Sequence, residues 1–326
     1  MSLPALHALR EQFPQAHIAI LAKPWVAGLY GREPFCDEVI PYEPEKGWRG
    51  WRERWRISQE LRRRKFDCAL LLQNAFEAAA VAYLARIPVR IGYNRDARGP
   101  LLTCAVPTPK AGETPPHQRF YYLELLKRAG LIPGYSREVN VRLSGAKAAA
   151  EEGRLHFGIS GSIVGVSPGA AYGGAKRWLP ERFAEAAVTI AQERGAAAVA
   201  VFGSEQEQAV CETVRAGVER GGVKCLNFSG KTTLAQFIEM AAACEVYLTN
   251  DSGPMHIASA LGVPTVAIFG ATDDKATGPA GSKSQVVREP VECSPCLLRE
   301  CPIDHRCMTR VPAQRVVEAA ITLLEK

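Results

Sequence analysis

Residues 249–256, with the sequence Thr-Asn-Asp-Ser-Gly-Pro-Met-His, have the composition of an anion-binding turn. The apolar stretch 246–248 precedes them and the small-residue stretch 257–261 follows, which predicts a strand, a polar turn and a helix. Such a turn presents free backbone N–H groups and the positive end of a helix at the carboxyl edge of a sheet, where phosphates bind. The same pattern is also typical of a well-capped βαβ crossover that binds nothing.

The side chains of this turn suggest separate tasks. Ser252 or Gly253 can occupy the N-cap position, and Pro254 suits the first helical turn because no N–H is required there. The carboxylate of Asp251 would repel a phosphate, so we expect it to accept a hydrogen bond or to orient a neighbouring group. His256, one turn into the helix, can donate a hydrogen bond to an anionic ligand.

A second glycine-rich turn, residues 167–178, also joins a predicted strand to a predicted helix. Its glycines let the backbone approach a ligand closely, and Lys176 supplies a positive charge for a diphosphate. The spacing matches neither the Walker loop nor the dinucleotide-binding turn Gly-x-Gly-x-x-Gly. Two further loops contain Glu205, which can bind ribose hydroxyls or simply be a solvated helix-start carboxylate, and Thr232. Four such loops in one half of the chain predict a nucleotide-binding site.

A basic tract with interspersed tryptophans spans residues 46–65. It holds nine basic and two acidic residues, a net charge of +7 that exceeds the +6 of the whole chain, and three of the five tryptophans. A solvated basic helix is the ordinary interpretation of a charge run. Because tryptophans are costly to expose, the combination favours a surface for a large anionic partner such as nucleic acid, acidic lipid or an anionic sugar.

The ten cysteines divide into six scattered residues, which we interpret as core residues, and a cluster of four. The cluster has the spacing Cys-x2-Cys-x4-Cys-x5-Cys and consists of Cys293, Cys296, Cys301 and Cys307. This spacing suits a structural zinc ion or, less well, an iron–sulfur cluster, whereas the lack of a second Cys-x2-Cys favours free or redox-paired thiols. Both interpretations remain open, and no metal-binding residue is assigned.

Length and composition indicate a two-domain globular protein. The chain has 326 residues, of which 47% are hydrophobic and 23% charged, which is typical of soluble domains. No apolar run approaches the roughly 18–20 residues needed to cross a bilayer, and no signal peptide begins the chain. We therefore expect a cytoplasmic protein.

Helical and strand patterns alternate along the chain, which predicts an α/β fold with parallel sheets and crossover helices. Residues 94–116 are expected to form a long loop, and residues 138–143 a short strand. The helix-forming stretch 146–156 and the Gly/Ser-rich stretch after it are typical of a join between domains. The expected domains are residues 1–157 and 158–326.

Four motifs together resemble those of the family 9 glycosyltransferases. They are Gly-Ala-x-Tyr-Gly-x-Ala-Lys-Arg-Trp at 169–178, Gly-Ser-Glu at 203–205, Ser-Gly-Lys-Thr-Thr-Leu at 229–234 and Asn-Asp-Ser-Gly-x-Met-His at 250–256. The motifs occur in the family's order. The resemblance covers nearly the whole chain and is highest in the half that contains these motifs.

The resemblance implies a GT-B architecture, in which two Rossmann-like domains with parallel sheets face an interdomain cleft and the carboxy-terminal domain binds the donor. It also implies metal-independent transfer, without a cofactor, of heptose from ADP-L-glycero-D-manno-heptose to the inner core of lipopolysaccharide. The donor-binding residues that it implies are Lys176 at the diphosphate, Asp251, Ser252, Gly253 and His256 around the phosphates and the sugar, and Glu205 and Thr232 near the adenosine.

The resemblance gives the basic tract a partner, the anionic inner core and its phosphates at the inner face of the inner membrane. We expect Arg62, Arg63 and Arg64 to bind this acceptor. No RNA-recognition motif accompanies the tract, so no nucleic-acid partner is expected. The protein is expected to be a monomer that is cytoplasmic or peripheral to the membrane.

The amino end departs from the family's pattern. Members normally begin with a strand and a Gly-Asp turn before the helix that occupies residues 2–10 here, and the aspartate of that turn is the proposed general base for the acceptor hydroxyl. We therefore expect the first strand and the base to lie before Met1, either because the start codon is misassigned or because the chain is truncated. The catalytic residue is thus unknown, and a chain that starts at Met1 is expected to be slower by about 10²–10⁴.

Two other functions fit the same residues. One is another GT-B nucleotide-sugar enzyme, with a different donor sugar or a hydrolysing 2-epimerase activity. The other is a non-catalytic nucleotide- or polyanion-binding protein, which the expected loss of the base favours. Incubation with ADP-heptose and a one-heptose core acceptor separates these functions, because only a heptosyltransferase yields both ADP and a heavier lipid.

Overall fold

The computed structural model describes residues 1–43 and 47–325. The chain divides into two compact units, Met1–Val139 and Asn140–Lys326. Three members of the predicted basic surface, Lys46 and the side chains of Trp48 and Arg49, lie outside the described residues. No helix in the described part of the chain is long and apolar enough to cross a membrane.

The amino-terminal unit is a parallel α/β structure. Its strands are β1 (Ala19–Ala22), β2 (Glu38–Pro41), β3 (Cys68–Leu71), β4 (Val89–Tyr93) and β5 (Cys104–Val106). Its helices are α1 (Leu3–Gln12), α2 (Ala27–Tyr30), α3 (Gly47–Arg64), α4 (Phe76–Leu84) and α5 (Gln118–Arg128). The strands form two separate parallel sheets, β1-β2 and β3-β4-β5. Within the described residues, β1 and β3 therefore each have one unpaired edge.

Helices cover both faces of the amino-terminal unit. On one face, Ile57 of α3 belongs to the same apolar cluster as Ile40 of β2 and Leu71 of β3, so α3 packs on both sheets. On the other face, Leu70 of β3 packs with Leu123 of α5. Consecutive residues of a strand point to opposite faces, and the alternation of Leu70 and Leu71 thus places α3 and α5 on opposite sides.

The carboxy-terminal unit contains a single six-stranded parallel sheet. Its strands are β6 (Ile163–Ser167), β7 (Ala198–Val201), β8 (Cys225–Asn227), β9 (Val246–Asn250), β10 (Thr265–Phe269) and β11 (Ser284–Arg288). The spatial order is β11-β10-β9-β6-β7-β8. After β6, the chain adds β7 and β8 on one side of it. The chain then crosses to the other side of β6 and adds β9, β10 and β11, so the strand order reverses between β6 and β9. Ligands of open α/β sheets bind outside the carboxyl ends of the strands at such a switch point.

Helices cover both faces of this sheet as well. They are α6 (Ala146–Phe157), α7 (Pro180–Arg194), α8 (Gln208–Arg220), α9 (Leu234–Ala242), α10 (Gly253–Ala260), α11 (Asp274–Thr277), α12 (Arg306–Thr309) and α13 (Ala313–Leu324). Val164 of β6 and Leu248 of β9 pack with Ile190 of α7 and Val316 of α13 in the main core. Every residue of β6, β9 and β10 is buried, which explains why these strands are nearly uninterrupted apolar runs.

Three sequence predictions differ from the structure. Residues 138–143 form no strand, and their backbone bonds to the rest of the chain, such as that from Val141 N to Ala280 O at 3.0 Å, are isolated rather than a ladder. The predicted loop 94–116 contains the three-residue strand β5, which is too short for its pattern to stand out. The compact units divide after Val139, before the predicted boundary at 157, because α6 packs against α9 of the carboxy-terminal unit.

A glycine lets α6 approach α9 closely. A Cβ atom on Gly153 would lie 2.0 Å from the carbonyl oxygen of Glu239 and 2.9 Å from the Cβ of Ala243. The same helices are joined by a contact of 2.9 Å between Nε2 of His156 and Oε2 of Glu239. Any side chain at position 153 must therefore push a helix backbone away.

We expect Gly153→Ala to lower the free energy of unfolding of the carboxy-terminal unit by about 1–3 kcal/mol, the usual cost of overpacking. Alanine is the better helix former by about 0.5–1 kcal/mol, so the propensity change acts in the opposite direction. Urea unfolding followed by circular dichroism measures the effect. The exposed Glu152→Ala on the same helix is the control, and a Gly153→Ala protein as stable as the control would contradict the packing described.

Candidate active site

One buried side chain, Asn250, ties the carboxyl ends of β6 and β9 together. Its amide nitrogen donates to the carbonyl oxygens of Pro168 at 2.7 Å and Gly169 at 3.4 Å. Its amide oxygen accepts a hydrogen bond from the backbone N–H of Trp178 at 2.9 Å. Asn250 is fully buried, so water does not compete for these bonds. They fix both ends of the glycine-rich turn 167–178 against the turn 249–256 at the switch point.

Lys176 and Asp251 form the charged centre of the site. Nζ of Lys176 lies 2.5 Å from Oδ2 of Asp251, and the hydroxyl of Thr272 donates to the same oxygen at 2.6 Å. Asp251 and Thr272 are buried, and 13% of the Lys176 side chain is exposed. The ammonium nitrogen also lies 4.7 Å from the ring centre of Tyr172. The prediction that Asp251 accepts a hydrogen bond or orients a neighbour is confirmed in its first part, since Oδ2 accepts from Lys176 and Thr272.

The start of α10 beside this pair is open to an anion. Ser252 occupies the N-cap position in an extended conformation, but its side chain makes no capping bond; its Oγ lies 3.2 Å from Oγ1 of Thr249 instead. The first N–H groups of an α-helix have no partner within the helix. A Cβ atom on Gly253 would meet no atom within 4 Å, so a ligand has room there. His256 follows in the first turn and is half-buried.

The loops after β7 and β8 lie side by side along the same edge of the sheet. The N–H of Gly230 donates to the carbonyl of Gly203 at 2.9 Å. A Cβ atom on Gly230 would lie 3.3 Å from the Cα of Glu205. The structure therefore brings the loop of Glu205 next to the loop of Thr232. Glu205 is exposed and Thr232 is half-buried.

Of the two glutamates that follow β7, Glu207 is the one with structural partners. Its Oε2 accepts hydrogen bonds from the N–H of Ser204 at 2.8 Å and from its hydroxyl at 2.9 Å, in a capping box. A Cβ atom on Gly169 would lie 2.1 Å from Oε1 of Glu207, so this carboxylate also packs on the glycine-rich turn. The Ser-x-x-Glu spacing at 204–207 is the sequence signal for this role.

The segment that contains the four clustered cysteines supports the glycine-rich turn. The hydroxyl of Tyr172 donates to the carbonyl of Leu297 at 2.7 Å, and Ala175 N–H donates to the carbonyl of Arg299 at 2.9 Å. Further contacts are those of Gly174 N with Oε1 of Glu300 at 2.9 Å and of His305 Nε2 with the carbonyl oxygen of Ala175 at 3.0 Å. The segment therefore helps to hold Lys176 in place, a role that sequence reasoning missed.

The four cysteines are free, with Cys307 buried and the other three half-buried. Burial raises the pKa of the Cys307 thiol, and the neighbouring thiols of Cys293, Cys301 and Cys296 raise it further. Among residues 1–43 and 47–325, no group of three or more His, Cys, Asp or Glu side chains is placed to hold a metal ion.

The structure places Arg62, Arg63 and Arg64 away from the carboxyl ends of the strands. Arg64 forms ion pairs with Glu38, the first residue of β2, and with Glu60. Helix α3 leaves β2 at its carboxyl end and returns to the start of β3, so these arginines lie at the amino-terminal edge of the sheets. Ligands of α/β domains bind at the opposite edge, and this position does not favour the predicted acceptor role.

The first half of α3 lies nearer the carboxyl edge of the amino-terminal unit. Arg54 forms an ion pair with Glu77 in the first turn of α4, directly after β3. The buried hydroxyl oxygen of Ser58 lies 2.7 Å from the carbonyl oxygen of Arg54 and 3.2 Å from that of Val81, which places α3 along α4. The basic helix therefore has one end at each edge of the sheets.

A parallel sheet with a lysine and an open helix start at its switch point is the arrangement that α/β proteins of the nucleotide-binding class use for phosphates. The model of "Glycosyltransferase family 9 (heptosyltransferase)" matches residues 54–306 of the chain. The chain therefore belongs to glycosyltransferase family 9.

Individual relatives agree with this assignment. The chain is 31% identical over 296 residues to lipopolysaccharide heptosyltransferase 2 of Salmonella typhimurium, covering 88% of this chain and 84% of the relative. It is 26% identical over 328 residues to lipooligosaccharide heptosyltransferase 2 of Campylobacter jejuni, covering 100% and 94%. The solved structure of E. coli ADP-heptose lps heptosyltransferase II matches with a TM-score of 0.82 and 29% identity, over 99% of this chain and 94% of that chain. The predicted GT-B fold and glycosyltransferase class are thus confirmed.

Alanine substitutions at the adjacent residues Gly173 and Gly174 can test whether the cysteine-rich segment holds the glycine-rich turn in place. A Cβ atom on Gly173 would lie 2.2 Å from the backbone carbonyl oxygen of Arg299, whereas one on Gly174 would meet the mobile end of the Glu300 side chain. We expect Gly173→Ala to accelerate amide exchange at Ala175 about tenfold or more, since overpacking of about 1–3 kcal/mol must be relieved by moving the backbone.

Hydrogen–deuterium exchange of the peptide that contains residues 172–178 measures this effect, with Gly174→Ala as the matched control. Its clash is relieved by rotating one side chain, so its exchange should change less. Equal exchange rates in the two variants would show that the turn does not depend on its contact with Arg299.

Proposed function

We propose that this glycosyltransferase transfers heptose from ADP-L-glycero-D-manno-heptose to the inner core of lipopolysaccharide. The observation that carries the proposal is the Lys176–Asp251–Thr272 arrangement beside the open start of α10. The relatives and the solved structure matched above are heptosyltransferases of the type called 2 or II, and the E. coli protein among them is called an ADP-heptose lps heptosyltransferase.

The diphosphate of the donor binds between Lys176 and the first turn of α10 in this proposal. An ammonium group has three N–H donors, and the bond to Asp251 leaves two of them for phosphate oxygens. The N–H groups at the helix start add a second set of donors. As the bond between sugar and diphosphate breaks, negative charge develops on the departing ADP, and fixed donors in a partly buried site stabilise that charge. The proposed transfer therefore requires no metal ion and no cofactor.

The remaining donor contacts follow from the order of the loops along the sheet. Ser252, Gly253 and His256 lie at the start of α10 and face the phosphates and the sugar. Glu205 and Thr232 lie on the adjacent loops after β7 and β8, on the side where the adenosine would extend. Asp251 acts by orienting Lys176, because its Oδ2 already accepts hydrogen bonds from Lys176 and Thr272.

The acceptor is assigned to the carboxyl edge of the amino-terminal unit. The ion pair between Arg54 and Glu77 places the first half of α3 near that edge, and this half is also rich in arginine. We therefore favour this half of α3 over Arg62, Arg63 and Arg64 for contacts with the anionic inner core.

Incubation of the full chain with ADP-heptose and a one-heptose core acceptor tests the proposal. Mass spectrometry should detect ADP together with an acceptor that is heavier by one heptose. Release of free sugar without a heavier acceptor would indicate hydrolysis or epimerisation instead. Tight ADP binding without any turnover would contradict transfer and favour the non-catalytic alternative.

We expect Lys176→Met to lower kcat/KM for the donor about 10–100-fold, because a charge-assisted hydrogen bond contributes about 1.5–3 kcal/mol. The affinity for ADP should fall in parallel, since ADP keeps the diphosphate. Steady-state kinetics and calorimetric titration with ADP measure the two effects, and circular dichroism checks the fold.

The control for Lys176→Met is Lys224→Met, which removes an exposed lysine just before β8, at the opposite edge of the same sheet. It should leave both constants unchanged. If the two variants bind ADP equally well, Lys176 does not contact the diphosphate.

A further inference from the structure

A groove between α3 and α4 on the amino-terminal unit combines aromatic walls with arginine side chains. It has a volume of about 470 Å³, and its lining includes Trp55, Arg62, Tyr83, Arg86 and Arg90. No carboxylate lies among the residues that line it. Arg62 and Arg86 also line a second, adjoining depression at the end of α3. The two depressions share these arginines and form one basic and aromatic surface, in which Asp67 of the second depression is the one carboxylate among the lining residues.

The aromatic side chains of this surface are unusually exposed. The exposed fractions are 60% for Trp51, 53% for Trp55 and 51% for Tyr83. Trp51 and Trp55 are four residues apart on α3 and therefore lie on one face of the helix. Large apolar groups exposed together mark a surface that binds a partner. The aromatic rings are therefore available to insert into an apolar or interfacial environment.

The arginines of the groove keep their charge available. Within the described residues, neither Arg62 nor Arg86 has a side-chain hydrogen bond or ion pair, whereas Arg64 on the same helix pairs with Glu38 and Glu60. Arg90 donates to the carbonyl oxygens of Leu101 and Ile87, which do not neutralise it. The groove thus presents three unneutralised positive charges beside two aromatic rings.

The size and composition of the surface favour an anionic bilayer over a small anion. From Trp51 to Arg62 the surface extends about 16 Å along α3, at about 1.5 Å per residue, which is longer than one phosphate group. Tryptophan and tyrosine prefer the interface between lipid and water. Arginines near an anionic leaflet each add favourable binding energy. An anionic bilayer therefore offers both the interface that the aromatic rings prefer and the negative charge that attracts the arginines.

We propose that the α3–α4 surface, defined by Trp51, Trp55, Arg62, Tyr83 and Arg86, docks the protein on an anionic lipid bilayer. The surface extends toward the amino-terminal edge of the sheets and is distinct from the donor site of the carboxy-terminal unit. Its biological use rests on the proposed function, since that function places the acceptor in a membrane. The α3 helix, which has one end at the carboxyl edge, would then hold that edge near its lipid acceptor.

Vesicle co-sedimentation of the full chain tests the proposal. The protein should bind vesicles of phosphatidylcholine with one-third phosphatidylglycerol, bind pure phosphatidylcholine at least tenfold more weakly, and dissociate as salt is raised. The double variant Trp55→Ser/Tyr83→Ser and the single variant Arg86→Gln should each weaken binding to anionic vesicles several-fold. The matched control Arg137→Gln/Arg142→Gln removes two exposed arginines outside the surface and should bind like the unmodified protein.

A second measurement separates docking from acceptor recognition. The Tyr83→Ser/Arg86→Gln variant, whose two positions lie outside the half of α3 assigned to the acceptor, should keep the unmodified rate on a deacylated, water-soluble acceptor. It should lose rate on the same acceptor embedded in anionic vesicles. If the unmodified protein transfers to neither acceptor, the proposed function fails while the vesicle-binding result still decides the docking proposal.

Four outcomes would overturn docking on a bilayer. The first is equal binding to neutral and anionic vesicles, and the second is unchanged vesicle binding by the aromatic variant and by Arg86→Gln. The third is loss of rate on the soluble acceptor with vesicle binding intact, which would make the groove a substrate site. The fourth is tight binding to single-stranded RNA without binding to vesicles.

Discussion

The three hydrogen bonds of Asn250 hold together the two turns that form the proposed donor site. They join the carboxyl ends of β6 and β9, the two neighbouring strands between which the strand order reverses. Polar groups buried away from water must be paired, so the glycine-rich turn has little freedom to move from the turn that begins α10. Lys176 lies between the two ends that Asn250 fixes and can therefore meet Asp251. Thr272, which follows β10, donates to the same carboxylate oxygen, so loops after three strands of one sheet edge meet at the ion pair. A buried charge is destabilising unless it is paired. The contact between Lys176 and Asp251 pairs both charges before any ligand binds.

The sequence was sufficient for the main features of the carboxy-terminal unit. Periodicity and turn residues predicted the strands that carry the site, and local chemistry predicted that Asp251 would accept a hydrogen bond or orient a neighbour. The sequence did not predict the contacts between residues that are far apart in the chain. Tyr172 and Leu297 are far apart in the chain, so nothing local shows that the cysteine-rich segment supports the glycine-rich turn. The predicted boundary after residue 157 failed to match the compact units for a similar reason, since α6 is placed by Gly153 against α9 rather than by its own composition.

The basic helix illustrates the difference between charge and position. Composition predicted a surface for a large anionic partner, and the family resemblance led us to assign Arg62, Arg63 and Arg64 to the acceptor. The topology places them at the amino-terminal edge of the sheets, and Arg64 is already paired with two glutamates. A basic helix that crosses an α/β unit has one end at each edge of the sheet. Only the direction of the helix shows which of its basic residues lie near a substrate. The two short sheets of the amino-terminal unit are held by the same helix, so α3 has a structural role in addition to a charged surface.

We propose that the switch point between β6 and β9 binds the donor diphosphate through Lys176 and the start of α10. A crystal structure of the protein with ADP tests it most directly. We expect the diphosphate at the first turn of α10, with an oxygen about 3 Å from Nζ of Lys176 and the bond between Lys176 and Asp251 retained. A diphosphate bound elsewhere, or one that leaves Lys176 without contact, would show that this switch point does not bind the donor through Lys176.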